Sequence, residues 1–145
     1  MKYYAVAELE ILDPGWVASY VQNVTRMVES YRGRYLARTS NVEPLEGERD
    51  RPRIVLLIEW PSREAALAFY ESEEYRPYRQ SRLAGARNEL LLVAGEDIAK
   101  TARIAAAREQ EKKRFFALAD RLASTRDPEE QSRLKEELAR MTFGE

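Results

Sequence analysis

Strict alternation opens the chain. Tyr3, Ala5, Ala7, Leu9 and Ile11 fall on one side, and Tyr4, Val6, Glu8 and Glu10 on the other. That pattern predicts a half-buried strand. Asp13-Pro14 then reads as a helix start, an N-cap carboxylate followed by a proline where no N–H is needed. Val17, Tyr20, Val21, Val24, Val28 and Tyr31 follow at helical spacing as one apolar stripe. Gly33 is expected to end the helix in the left-handed cap conformation. Residues 34–39 predict a second strand, with Tyr35 and Ala37 on one face and Arg34, Leu36 and Arg38 on the other. A polar stretch with Gly and Pro, residues 41–52, separates it from the strongest strand, residues 53–60. The aliphatic run at 54–57 predicts a central strand covered on both faces. Pro61-Ser62 caps another helix, with Ala65, Ala66, Phe69 and Tyr70 on its apolar side. Ser72 is expected to cap a second helical piece, residues 73–83, weakened by Pro77. Residues 88–94 predict a fourth strand, closed by Gly95.

The order strand, helix, strand, strand, helix, strand is the split βαβ arrangement. It predicts a ferredoxin-like α+β fold, βαββαβ, whose four-stranded antiparallel sheet carries its helices on one face. The opposite face would hold Tyr4, Val6, Leu36, Val55, Leu57, Leu91 and Val93. So apolar a surface needs a cover. Two sheets packed face to face would supply it, so a homodimeric α+β barrel is expected. The rest of the chain differs. Residues 98–124 are rich in Ala and charge, and Asp127-Pro128-Glu129-Glu130 marks a further helix start. Leu134, Leu138 and Met141 follow on one face. The expected division is a barrel domain over residues 1–97 and a helical extension over 98–145. The narrow stripe and broken heptads of the extension argue against a long coiled coil.

Charge changes the picture by exclusion. The 145 residues carry a net charge of −1, and neither the first 99 residues (−3) nor the remainder (+2) has the basic excess of a phosphate-backbone binder. No nucleic-acid partner is expected. The chain has no cysteine and no histidine. Disulfides, thiol nucleophiles and a Ser-His-Asp triad are therefore excluded, and any metal would rest on oxygen ligands alone. No metal and no cofactor are expected. The start of the chain lacks the apolar core and cleavage site of a signal peptide, and no run is long enough to span a bilayer. A cytoplasmic location and no membrane partner follow as expectations.

The segments YYAVAELEILDP, YRGRYLAR, RPRIVLLIEWPSREAALAFYESEEYRPYRQSR and LLLVAG, taken together, resemble the bacterial domain-of-unknown-function family thirteen-thirty. The resemblance covers about residues 2–97. It implies a dimeric α+β barrel, a group that includes cofactor-independent monooxygenases, haem-degrading enzymes, isomerases and proteins without known activity. The fold alone thus implies no reaction. The positions that match the family are Arg34, Glu59, Ser72, Tyr75 and Arg82. The chain departs from it at Arg32-Gly33, where two glycines are usual, and at Glu73, where Pro usually follows the Ser. The extension lies outside the resemblance.

Among residues able to carry chemistry, Glu59 stands first. Its strand parity places it with Val55 and Leu57 on the dimer-facing side, together with Glu8, Arg34 and Arg38. Arg34 falls opposite Glu59 if the pairing register holds. A carboxylate there could transfer a proton or anchor a polar ligand; the plainer reading is an Arg–Glu pair that fixes strand register. Tyr75, Tyr78, Arg79 and Arg82 share one helical face. They could grip a carboxylate or phosphate, or simply be Arg stems packed on Tyr rings. Trp16 and Trp60 read as core or rim, the acidic loop residues and the Lys112-Lys113-Arg114 run as solvated. Two functions stay open: a small-molecule site built from Glu59, Arg34 or Arg38 with Tyr75 and Arg82, and a non-catalytic assembly module whose tail presents Phe115, Phe116, Leu134, Leu138 and Met141 to a partner. The residues leave open whether the protein is an enzyme.

Overall fold

The computed structural model describes residues 1–144. It forms two units, Met1–Glu96 and Asp97–Glu145. In the first, strand β1 (Tyr3–Ile11) leads through a short 3-10 turn (Pro14–Trp16) into helix α1 (Val17–Ser30). Strands β2 (Arg34–Thr39) and β3 (Ile54–Trp60), helices α2 (Arg63–Tyr70) and α3 (Arg76–Gly85) and strand β4 (Ala86–Ala94) complete it. The sheet order is β2-β3-β1-β4 with every neighbour antiparallel. This is the ferredoxin-like arrangement, and β1 and β3 are its central strands.

The caps follow from local chemistry. The Asp13 carboxylate accepts from the Gly15 N–H at 3.0 Å, and the Ser62 hydroxyl accepts from the Ala65 N–H at 3.1 Å. The Ser72 hydroxyl takes the Tyr75 N–H at 3.2 Å. That bond carries the chain from α2 into α3. Pro77 does not weaken α3, contrary to expectation. The helix begins at Arg76, so Pro77 lies in the first turn, where a missing N–H costs nothing. β4 also begins two residues earlier than the pattern indicates, at Ala86.

The end of α1 corrects a second expectation. The Gly33 N–H bonds to the Val28 carbonyl at 2.8 Å and the Arg32 N–H to the Glu29 carbonyl at 2.9 Å. This is a Schellman closure. The left-handed residue in it is Arg32, with φ 66°. Gly33 is needed for space instead: a Cβ there would sit 2.6 Å from Val28 and 2.8 Å from the Trp60 ring. Trp60 in turn stacks on Phe69 at 5.2 Å, and Phe69 on Tyr75 at 4.3 Å. Val24, Met27, Val28, Trp60, Ala66, Phe69 and Tyr75 form the buried core, with Tyr3, Ala5, Tyr35 and Ile58 packed against it from the sheet. The helices therefore cover the face that carries Ala5, Ile58 and Trp60.

In the second unit, α4 (Ile98–Ser124) and α5 (Pro128–Phe143) form a helical hairpin. Arg114 pairs with Glu137 across it, and Arg121 pairs with Glu130. Leu134 is buried. Among the described residues, no helix is long and apolar enough to cross a membrane.

The two positions at the end of α1 make opposite predictions. Replacing Arg32 by Gly relieves a left-handed non-glycine residue and should stabilise the protein by about 0.5–1 kcal/mol. Gly33→Ala drives a methyl into Val28 and Trp60 and should cost about 1–3 kcal/mol. Urea unfolding of the two variants checks both signs.

Candidate functional site

Each strand sends alternate side chains to opposite faces, and the register fixes which are which. On the open face, Tyr4 pairs with Glu59 and Val93, Val6 with Leu57 and Leu91, and Glu8 with Val55 and Glu89. Arg34 lies opposite Glu59, as the strand parities indicate. The Glu59 carboxylate accepts from Lys2 at 2.7 Å and from Arg34 at 2.9 Å. The bond from Lys2, and then the charge of Arg34, outweigh partial desolvation and hold its pKa below the usual 4.5. Glu8 is likewise engaged, by Arg49 at 2.7 Å. These are satisfied pairs around an apolar patch.

Arg38 does not join them. A bulge between Tyr35 and Ala37 shifts the register, so that Ala37 lies opposite Leu57 and Arg38 opposite Leu56. The extra residue turns Arg38 to the helical side. There its guanidinium lies 3.9 Å from the Tyr35 ring centre and donates to the Thr25 hydroxyl at 3.0 Å. The expectation that Arg34 and Arg38 share a face fails on this one residue.

The helical side of the sheet holds a cavity of about 300 Å³. Ala5, Ala7 and Leu9 of β1 and Leu56, Ile58 and Trp60 of β3 form its floor. Val24 and Val28 of α1, with Ala66 and Phe69 of α2, close it from above. The cavity reaches solvent along β4, where Leu90 and Leu92 line it and stay 40% and 37% exposed. Small residues at 5 and 7 leave the space that larger side chains would fill.

Its polar groups are few and gathered together. Arg82, only 4% exposed, lines the cavity. Its Nε donates to the Tyr75 hydroxyl at 3.3 Å and its Nη1 to the Asn88 Oδ1 at 2.7 Å. The Asn88 amide nitrogen donates to the Ala86 and Arg82 carbonyls at 2.7 and 3.3 Å, which fixes the oxygen toward the guanidinium. The Tyr75 and Tyr20 hydroxyls are 2.7 Å apart. Burial, reinforced by Tyr75, pushes the Tyr20 phenol well above its ordinary pKa of 10.0. Burial raises Tyr35 as well. For Arg82, burial opposes the charge, but the oxygens of Tyr75 and Tyr20 outweigh it and its pKa is raised. No carboxylate among the described residues pairs with Arg82.

Of the residues singled out from sequence, Tyr75 and Arg82 therefore meet at the cavity. Glu59, Arg34 and Glu8 lie on the other side of the sheet, and no ligand can touch both groups. Arg79 turns away from the cavity: it donates to the Tyr70 carbonyl at 2.8 Å and lies 4.8 Å from the Tyr70 ring centre. Pattern reading missed Tyr20 and Asn88. Tyr20 was legible as the one early polar tip in a valine-rich stripe, since a buried hydroxyl needs a partner. Asn88 gave a weaker signal, a polar residue where the last apolar strand begins.

The model of the Domain of unknown function (DUF1330) matches residues 2–96. The chain belongs to the DUF1330 family. No functionally curated protein matches the chain. Among solved structures, the chain is similar to the RPA0582 protein of unknown function from Rhodopseudomonas palustris. It has 15% identity and a TM-score of 0.57, over 66% of this chain and 83% of that one. Lower similarity extends to SnoaB, a cofactor-independent oxygenase from Streptomyces nogalater, with 17% identity and a TM-score of 0.41 over 66% and 94% of the two chains. A putative antibiotic biosynthesis monooxygenase from Nitrosomonas europaea has 16% identity and a TM-score of 0.39, over 65% and 89%. The likeness to RPA0582 concerns the fold alone.

The Glu59 pairs carry a pH signature. A carboxyl whose pKa is lowered on folding contributes its stabilisation above its unfolded value, near 4.5, and loses it as the pH falls through the lower folded value. Glu59→Gln should therefore melt below the native protein at pH 7, and the gap should close on titration toward pH 3. A gap that stays constant with pH would show that Glu59 acts by packing alone.

Proposed function

We propose that this DUF1330 protein binds a small, mainly apolar molecule, about two rings in size, in the cavity between sheet and helices. The carrying observation is a preformed apolar cavity with a few converging polar groups. Such a cavity marks a ligand site by default. Its volume, about 300 Å³, is roughly twice that of a cavity which admits benzene. The charged residues on the open face belong to strand pairing in this reading, and not to the site.

Thermal shift against a panel of bicyclic aromatic compounds tests it. A ligand that binds only the folded state raises the melting temperature by mass action, by about 2.7 kcal/mol of stability at a hundredfold excess over Kd. Ala7→Leu fills the floor of the cavity and should abolish the shift while the protein stays folded. A shift that survives Ala7→Leu would place binding elsewhere.

A second reading concerns assembly, and one observation favours it. On the open face Leu91 is 63% exposed and Val93 44% exposed, beside Val6 and Leu57. A second copy of the same face would remove this patch from water, by an isologous contact. Sedimentation equilibrium should give twice the chain mass. Leu57→Glu, at the middle of the patch, should give a folded monomer. A native protein that sediments as a monomer ends this reading. The other form of assembly, through the tail, loses support. Phe115, Leu134, Leu138 and Met141 are half-buried or buried, and only Phe116 of the set is left 55% exposed.

A further inference from the structure

The donors and acceptors at the inner end of the cavity do not balance. Tyr20 and Tyr75 bring two hydroxyl protons, and the bond between them uses one. Whichever phenol donates, one proton is left over, and among the described residues neither hydroxyl has an acceptor outside this cluster. Arg82 brings five N–H groups; the Tyr75 and Asn88 oxygens take two, and the Tyr20 oxygen also faces the guanidinium, which leaves at least two over. The surplus is all of donors. The charge does not balance either. A guanidinium cannot shed its proton under ordinary conditions, and this one is nearly buried with only neutral partners. A buried charge without a counter-ion is disfavoured, and this guanidinium lines an apolar cavity.

We propose that the ligand is a planar apolar carboxylate whose two oxygens meet the Arg82 guanidinium and the free hydroxyl of the Tyr20–Tyr75 pair, its ring body lying on Ala5, Ala7 and Ile58. This rests on the cavity reading above. Carboxylate fits better than other anions. Its two oxygens match the planar fork of a guanidinium. A phosphate would bring a second charge, and no second cation lines the cavity. A simple phenol would arrive neutral at pH 7 and leave the charge of Arg82 unanswered. Asn88 is a positioning residue here. It holds the guanidinium from the strand side and never touches the ligand.

Isothermal titration of the full chain with 2-naphthoate and with 2-naphthamide at pH 7 tests the proposal. The two probes have the same body and differ in charge. The native protein should bind the acid at least about tenfold tighter, the worth of one charged hydrogen bond. Arg82→Met, which keeps the length of the side chain without its charge, should bring the two affinities together. Tyr20→Phe should weaken the acid more than the amide, because a hydrogen bond to a charged carboxylate is worth more than one to a neutral carbonyl. Equal binding of both probes by the native chain overturns the carboxylate assignment and leaves the cavity reading standing. Binding of neither overturns both. An acid preference that survives in Arg82→Met would place the counter-charge on another residue and overturn the proposal as well. The comparison within the native chain does not depend on the variant folding.

Discussion

Arg82 keeps its charge at any pH the protein meets, and it lies inside the fold with no carboxylate among the described residues paired to it. Much of the inner architecture can be read as the means of keeping it there. Tyr75 sits at the start of α3, one helical stack from Arg82, and presents its oxygen to Nε. Asn88 reaches back from β4, locked by two carbonyls, and presents its oxygen to Nη1. Tyr20 comes from α1 and closes the set through Tyr75. Three separate elements thus meet at one cation. Neutral dipoles can hold a buried charge in place, but they do not neutralise it. A fold that wanted only stability would be served as well by an apolar side chain at this position. That charge is what the proposed carboxylate would meet.

The sheet separates two kinds of polar chemistry that the sequence presents together. On the open face Glu59 has Lys2 and Arg34, and Glu8 has Arg49. These pairs are balanced and fix register. On the helical face Arg82 is buried and, among the described residues, has no acid. The distinction is physical, because a balanced pair has no further use for a ligand's charge. The β2 bulge sharpens the separation by taking Arg38 out of the open face and placing it over Tyr35.

The fold was legible because period and punctuation agree at nearly every element. Alternation gave β1 and its two faces; the run at residues 54–57 gave the central strand; Asp13, Ser62 and Asp127 gave helix starts that the side chains do cap. The site was half legible. Tyr75 and Arg82 stand out as a helical pair, but their partners come from α1 and β4, and contacts between distant segments leave no local pattern. Arg38 was misplaced because a bulge adds one residue without changing composition. Gly33 was correctly marked and wrongly explained. The φ of the next-door Arg32 and the ring of Trp60, far off in sequence, decide its role.

The polar groups also limit what the cavity can do to a ligand. Its lining has neither a carboxylate nor, in a chain without histidine or cysteine, any imidazole or thiolate. Burial pushes two of its phenols, Tyr20 and Tyr35, toward the protonated form. At neutral pH these residues give hydrogen bonds and do not take protons. Such a lining stabilises negative charge on a bound oxygen wherever that charge comes from. It leaves any proton removal to the ligand itself, or to a base that enters with it. An acid that arrives already ionised needs no such help. That is one more reason why a lone guanidinium, two linked phenols and an apolar floor suit a carboxylate better than a ligand that must first be deprotonated on the protein.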